Sequence, residues 1–276
     1  MALVLQTNVP SLRTQRSVDH ATQALEKTFE RLSSGLRINH ASDDSAGMSI
    51  STRMTSQIRG LNQAGRNAND AISLVQVAEG SLAETTEALQ RIRELTVQAA
   101  NDSYSASDRA DIQKEVNQLI SEINRISDQT SFDGQKLLNG DFVGKKFQIG
   151  AYSGQYLSIT ISALTAAGMG ITALSNTISG ATGSAITALI SSVDTALDSV
   201  TTLRSKLGAY QNRFEVVVAN LSNMSESMSA SRSRIMDADI AAETAALTRN
   251  TILQQASTAM LAQANQQPQI ALLLLK

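Results

Sequence analysis

Few side chains in this sequence carry reactive chemistry. His20 and His40 are the only histidines, and neither stands in the HExxH spacing that sets two imidazoles and a general base on one helical face. Cysteine is absent, which removes disulfides, thiolate zinc sites and iron–sulfur clusters. Gly168 and Gly170 lack the further glycine and the lysine that a phosphate-cradling loop needs. Asp237, Asp239 and Glu243 fall on adjacent turns, a spacing that suits a metal. Acids near a helix N-terminus are favoured by the dipole alone, and that reading is preferred. The sequence therefore predicts no catalytic, metal-binding or cofactor-binding residue, requires no cofactor and argues against an enzyme.

The composition points to extended helices. Aromatics make up 3% of the 276 residues, Trp is missing and only 2 prolines occur. Few aromatics mean few large core anchors, and few prolines leave long helices unbroken. The formal charge of -2 gives no bulk electrostatic case for nucleic acid or an anionic membrane. The first ten residues show no basic segment followed by an apolar run, so no cleaved signal peptide is expected. The apolar tail Ile270 to Leu275 is too short to span a bilayer.

The strongest pattern is a heptad. Ile186, Val193, Val200, Leu207, Phe214, Leu221, Met228 and Ile235 recur every seven residues, and Leu189, Ala196, Leu203, Tyr210, Val217 and Met224 follow the first six at three residues. An a/d seam sustained this far predicts one long coiled-coil helix, roughly 75 Å if straight. Partner stripes lie earlier, at Val75, Ala78, Leu82, Leu89, Ile92 and Ala99, and at Ile112, Val116, Leu119, Ile123 and Ile126. Ser105 and Asp108 are placed to cap the second of these helices.

After Asp128 the period changes from helical to two. Asp133-Gly134 and Asn139-Gly140 are turn dipeptides, and Phe147, Ile149, Leu157, Ile159 and Ile161 alternate across a Gly150 to Gly154 turn. This predicts a β-hairpin around 142–161. The Gly-, Ala-, Ser- and Thr-rich stretch from Ala163 to Gly183 is expected to be a linker or a small cap. At the chain ends, Val18, Leu25 and Leu32 step by seven with Phe29 and Leu36 beside them, and Ala242, Ala246, Leu253, Ala256, Met260 and Ala264 repeat the rule. Two such small-residue helices bury too little surface to offset their ordering entropy alone, so they are expected to need neighbours.

Several motifs in order then carry a resemblance. Leu32-Ser-Ser-Gly-Leu-Arg-Ile-Asn39, Asp43-Asp44, Gln57-Ile-Arg-Gly-Leu-Asn-Gln63, Arg66-Asn-Ala-Asn-Asp70 and Ala78-Glu-Gly-Ser-Leu82 resemble the N-terminal signature of bacterial flagellins. Arg234-Ile-Met-Asp-Ala-Asp239, Ile252-Leu-Gln-Gln-Ala256 and Leu261-Ala-Gln-Ala-Asn265 resemble the C-terminal one. The likeness spans roughly residues 1–160 and 186–276. It implies a mainly α, rod-shaped subunit: a long antiparallel coiled-coil bundle with a small β-hairpin and both termini together. Residues 1–44 and 237–276 would be inner-tube terminal helices and 45–236 the outer-tube bundle. Only about twenty residues sit where flagellins often carry outer domains, so a minimal form is implied.

The implied function is the structural subunit of the flagellar filament, exported unfolded and polymerised into a helical tube for swimming; a hook–filament junction protein is the alternative. Polymerisation would rest on Val18, Leu25, Phe29, Leu32, Leu36, Ala246, Leu253, Ala256, Met260 and Ala264, and the bundle seam on Val193, Val200, Leu207, Phe214, Leu221 and Met228. Gly35, Arg37, Asp43 and Asp44 would form a connector whose charges fix subunit register. Partners implied are further copies, an export chaperone and export apparatus, and filament cap and junction proteins, with no nucleic acid and no membrane. The apolar end, residues 270–276, is expected to face a neighbouring subunit or the chaperone. The Ser- and Thr-rich surface between Ser153 and Thr202 offers hydroxyls for O-linked sugars, as in many flagellins.

Arg91 and Leu95 lie four apart with Glu94 and Gln98 beside them, and this face is read first as a contact between stacked subunits. In flagellins recognised by the innate receptor Toll-like receptor 5, the matching segment forms the epitope with a glutamate corresponding to Glu115. Gln90, Arg91, Leu95 and Glu115 match that pattern. The implied location is extracellular, in the filament.

Overall fold

The computed structural model describes residues 7–179 and 183–273, with side chains described over 7–179 and 185–267. The order is α1 (Val9–Ser34), α2 (Ser45–Ala99), α3 (Ala106–Gln129), β1 (Ser131–Phe132), β2 (Gln135–Lys136), β3 (Lys145–Gln148), β4 (Tyr156–Ile159), a 3-10 turn (Thr172–Ser175), α4 (Gly183–Met236) and α5 (Ile240–Leu273). The mainly α class with a small antiparallel β element is as expected. The chain gathers into two compact units, Gln57–Glu226 and Met1–Ser56 with Ser227–Lys276.

In the larger unit the stripes predicted from periodicity form the core. Val75, Ala78, Leu82, Leu89, Ile92 and Ala99 of α2 are fully buried, as are Ile186, Val193, Val200, Leu207 and Phe214 of α4. Each fully buried Leu, Ile or Phe contributes roughly 1.5–3 kcal/mol. On α3 the inward row is Ile112, Val116, Ile120, Ile123 and Ser127, so Leu119 and Ile126 of the predicted stripe are only half-buried. The helix starts at a capping box: Ser105 Oγ accepts from the Asp108 N–H, and the Asp108 carboxylate accepts from the Ser105 N–H. The α4 seam outruns the core. Leu221 is buried, Met224 is 43% exposed, and Met228 and Ile235 are half-buried.

Asp133 and Gly134 both adopt positive φ, 47° and 74°, the backbone a two-residue hairpin loop requires; it joins β1 to β2. In the second hairpin Phe147 pairs with Leu157 and Lys145 with Ile159. Leu157 and Ile159 face the core while Tyr156 and Ser158 face out, the period-two alternation of a half-buried strand.

The stretch after the hairpin is a cap over the core, not a free linker. Ile161, Leu164, Ala166, Met169, Ile171, Leu174 and Ile178 are all buried. Its backbone groups find side chains of α3: Gln113 Nε2 donates to the Leu174 carbonyl (2.6 Å), Gln113 Oε1 accepts from the Ile178 N–H (2.8 Å), and Asn124 Oδ1 accepts from the Ala166 N–H (2.9 Å). Irregular backbone tolerates burial only when its polar groups are paired this way.

In the smaller unit α1 and α5 run antiparallel side by side, Asn8 meeting Ala264 at one end and Arg31 meeting Glu243 at the other. Little apolar surface is enclosed. Ala21, Thr28, Ile38, Ser51 and Ala264 are its buried side chains among the described residues.

Candidate assembly surface and connector

Local chemistry defines the ends of the terminal helices. Asn8 Oδ1 accepts from the Ser11 N–H, and Pro10 follows at the helix start, where its missing N–H costs nothing. Gly35 ends α1 at φ 69° with its N–H donated to the Arg31 carbonyl, a left-handed cap that favours glycine. Asp239 opens α5 by accepting from the N–H groups of Ala241 and Ala242. The three acids singled out in the sequence thus have separate partners: Asp239 caps, Glu243 pairs with Arg31, and Asp237 accepts from Ser233. His20 is exposed, and His40 Nε2 lies 2.7 Å from Glu30.

The sequence-selected apolar residues of α1 and α5 do not form the seam between them. Phe29 is 54% exposed, Leu253 50% and Met260 64%. Ala256 is exposed, Val18, Leu25, Leu32, Leu36 and Ala246 are half-buried, and only Ala264 is buried. Val9, Leu12, Ile240 and Ile252 are exposed too. The seam is polar. Asn8 Nδ2 donates to the Ala264 carbonyl, Ser11 Oγ to Asn265 Oδ1, Asn250 Nδ2 to Thr28 Oγ1 and Gln254 Nε2 to Thr22 Oγ1. Arg31 reaches Glu243 at 3.1 Å. Periodicity missed these residues because it follows apolar types alone. The large apolar groups are left outward, where a single copy gives them no partner.

The predicted connector residues are brought together at one crossing. Leu36 and Asp237 form an antiparallel bridge. The Arg37 N–H donates to the Met236 carbonyl at 2.6 Å, the Arg37 guanidinium to the Ile235 carbonyl, and the Ala238 N–H to the Gly35 carbonyl. Asp43 accepts from the N–H groups of Asn39 and His40 and lies 2.7 Å from Lys27. The Lys27 ammonium and those amides hold the Asp43 carboxyl well below the usual carboxylate range. Asp44 caps α2 through the Gly47 N–H. Ile38, 2% exposed, anchors the loop; its lone position gave no periodic signal.

On the larger unit, Arg91 makes a forked contact to Glu115 through Nε and Nη2, at 3.0 and 2.9 Å, and reaches Glu94 through Nη1. Glu115 first, then Glu94, raises the Arg91 pKa. Gln90 is exposed. Leu95 does not share this face: it is 2% exposed and belongs to the core. The residue four positions after Arg91 is turned inward because the buried stripe of α2 widens there to include Ile92, Leu95 and Thr96. The last residues of the chain, named above as a contact for a neighbour or chaperone, lie outside the described side chains.

Two family models match the chain: the bacterial flagellin N-terminal helical region over residues 5–142 and the C-terminal helical region over 190–275. The chain belongs to the bacterial flagellin family. The second hairpin and the cap fall in the interval between the two matches. A flagellin of Halalkalibacterium halodurans is 43% identical over 274 residues, covering 99% of this chain and 100% of the relative. The flagellin of Bacillus subtilis is 44% identical over 299 residues and 98% of each. The full-length match to these flagellins leaves no residues for added outer domains. Among solved structures, a putative flagellar hook-associated protein from Vibrio parahaemolyticus shares the fold, with TM-score 0.61 and 12% identity over 71% of this chain and 100% of that one.

Proposed function

We propose that this flagellin is a structural subunit of the flagellar filament and polymerises through the outward faces of α1 and α5. One observation carries the reading: Phe29, Ile252, Leu253 and Met260 are each at least half exposed on a helix pair whose own seam is polar. Apolar groups of this size contribute roughly 1.5–3 kcal/mol each when buried, so copies meeting on these faces gain what the single chain forgoes. A contact between unlike faces does not close on itself and extends into a helical array.

Within that reading, residues 1–44 and 237–276 supply the inner tube, and 45–236, with the seam from Val193 to Met228, the outer tube. The connector at Gly35, Arg37, Asp43 and Asp44 sets the register between them. The role is structural, without catalysis. The subunit is placed outside the cell, exported without a cleaved leader, and meets an export chaperone, the export apparatus, and cap and junction proteins on the way. Gln90, Arg91 and Glu115 are the exposed part of the receptor-like face, with Leu95 supporting it from beneath.

Negative-stain microscopy of purified protein seeded with filament fragments tests the reading, beside a variant lacking residues 237–276. Filaments from the full chain and none from the truncation support it. No growth from either means the terminal helices serve another partner.

A further inference from the structure

We infer that the register of α1 on α5 is set by the polar ladder, with Arg31–Glu243 as its positioning pair, and that this register aligns the outward apolar groups into one assembly face. The inference rests on the filament reading above. Both helices repeat their apolar residues every seven positions, Val18, Leu25 and Leu32 on one and Ala246, Leu253 and Met260 on the other. A slide of one heptad, roughly 10 Å along the axis, therefore leaves the apolar pattern nearly unchanged. The polar partners do change. One direction brings Ala24 opposite Glu243, and the other brings Asn250 opposite Arg31. Each strands a charge that is largely enclosed, Arg31 at 26% exposure and Glu243 at 14%. Arg31 Nε is already buried without a hydrogen-bond partner, so loss of Glu243 leaves the guanidinium with little to offset its desolvation. Thr22–Gln254, Thr28–Asn250 and Ser11–Asn265 add three contacts that hold in one register only. A slide would carry Leu253 and Met260 past Phe29 and break up the shared face. A polar residue in an otherwise repetitive seam is an established means of fixing register.

The chain has no cysteine, so an introduced pair reports register without background. Ser11→Cys with Asn265→Cys marks the observed register, and Ser11→Cys with Thr258→Cys marks a one-heptad slide. Both pairs lie at the far end of the seam from Arg31. Seeded filaments are treated with a short bifunctional thiol reagent, dissolved and run on a denaturing gel. The expected result is an intrachain product from the first pair and none from the second. Arg31→Glu and Glu243→Arg alone should stop growth or shift product to the second pair, and the double reversal should restore growth and the first product. Reversals that grow with unchanged crosslinks overturn the inference, as does a double reversal that fails to recover. So does a crosslink between two chains, or no first-pair product in otherwise normal filaments. Failure of the unreversed chain to form filaments from seeds overturns the filament reading instead.

Discussion

Phe147 of the hairpin meets Phe214 of α4 edge to face, with ring centroids 5.9 Å apart and planes at 80°. Such a pair contributes about 0.5–1.5 kcal/mol beyond the area it buries. Phe214 is completely buried and sits where the hairpin, α2 and α4 share a core. Phe214→Ala is expected to cost about 3–5 kcal/mol, read as a lower midpoint in thermal unfolding of the unpolymerised protein. Phe147→Leu should cost clearly less.

Gln113 secures the cap. Its amide pairs with the Leu174 carbonyl and the Ile178 N–H, and its side chain is buried. Gln113→Leu keeps the volume but leaves two buried backbone groups unpaired, at about 1–3 kcal/mol each. Hydrogen exchange should accelerate at the Ile178 amide while the α2 amides beneath Leu82 and Leu89 keep their protection. Uniform acceleration across the unit would show that the cap is not separately held.

Two helical glycines should respond in opposite ways to the same change. A Cβ at Gly60 would fall 2.9 Å from that of Ala151, whereas nothing lies within 4 Å of one at Gly65. Gly65→Ala is expected to stabilise by about 0.5–1 kcal/mol. At Gly60 the gain is cancelled, because the turn bearing Ala151 is tied to α2 by Gln57 to Tyr152 and Asn67 to the Gln148 carbonyl. Thermal midpoints of the two variants should move apart.

Acid should loosen the connector through Asp43. Its folded carboxyl titrates below the ordinary range because of Lys27 and the His40 and Asn39 amides. A depressed pKa contributes stability that is complete above the unfolded value, about 3.9, and is lost as pH falls below it toward the folded value. Asp43→Asn should lower the midpoint at neutral pH and flatten its fall below about pH 4, followed by circular dichroism. An unchanged acid limb would mean that Asp43 is not the group responsible.

The long elements were legible because their signal is long. Eight residues of one heptad marked α4, and the period change after Asp128 marked the β elements. Shorter or mixed signals were less telling. Leu119 fitted the spacing as well as Ile120 does, and only packing against α2 and α4 decides which one turns inward. The cap reads as a linker in composition because its apolar residues follow neither period; Gln113 and Asn124, some fifty residues earlier in sequence terms, make it structure. At the terminal helices the apolar stripe was visible, but which side it faced was not. A helix pair with a polar seam has the same heptads as one with an apolar seam. Thr22, Thr28, Asn250 and Gln254 are revealed only when the partner helix is in place.

The crossing at Gly35 also has a mechanical consequence. The chain passes once from α1 toward α2 and once from α4 to α5, and the bonds among Gly35, Arg37, Ile235, Met236 and Ala238 tie those two passages together. Tension pulled along either passage is therefore divided between both. They stretch as a two-stranded tether, and neither can give way until the cross-ties have been sheared together.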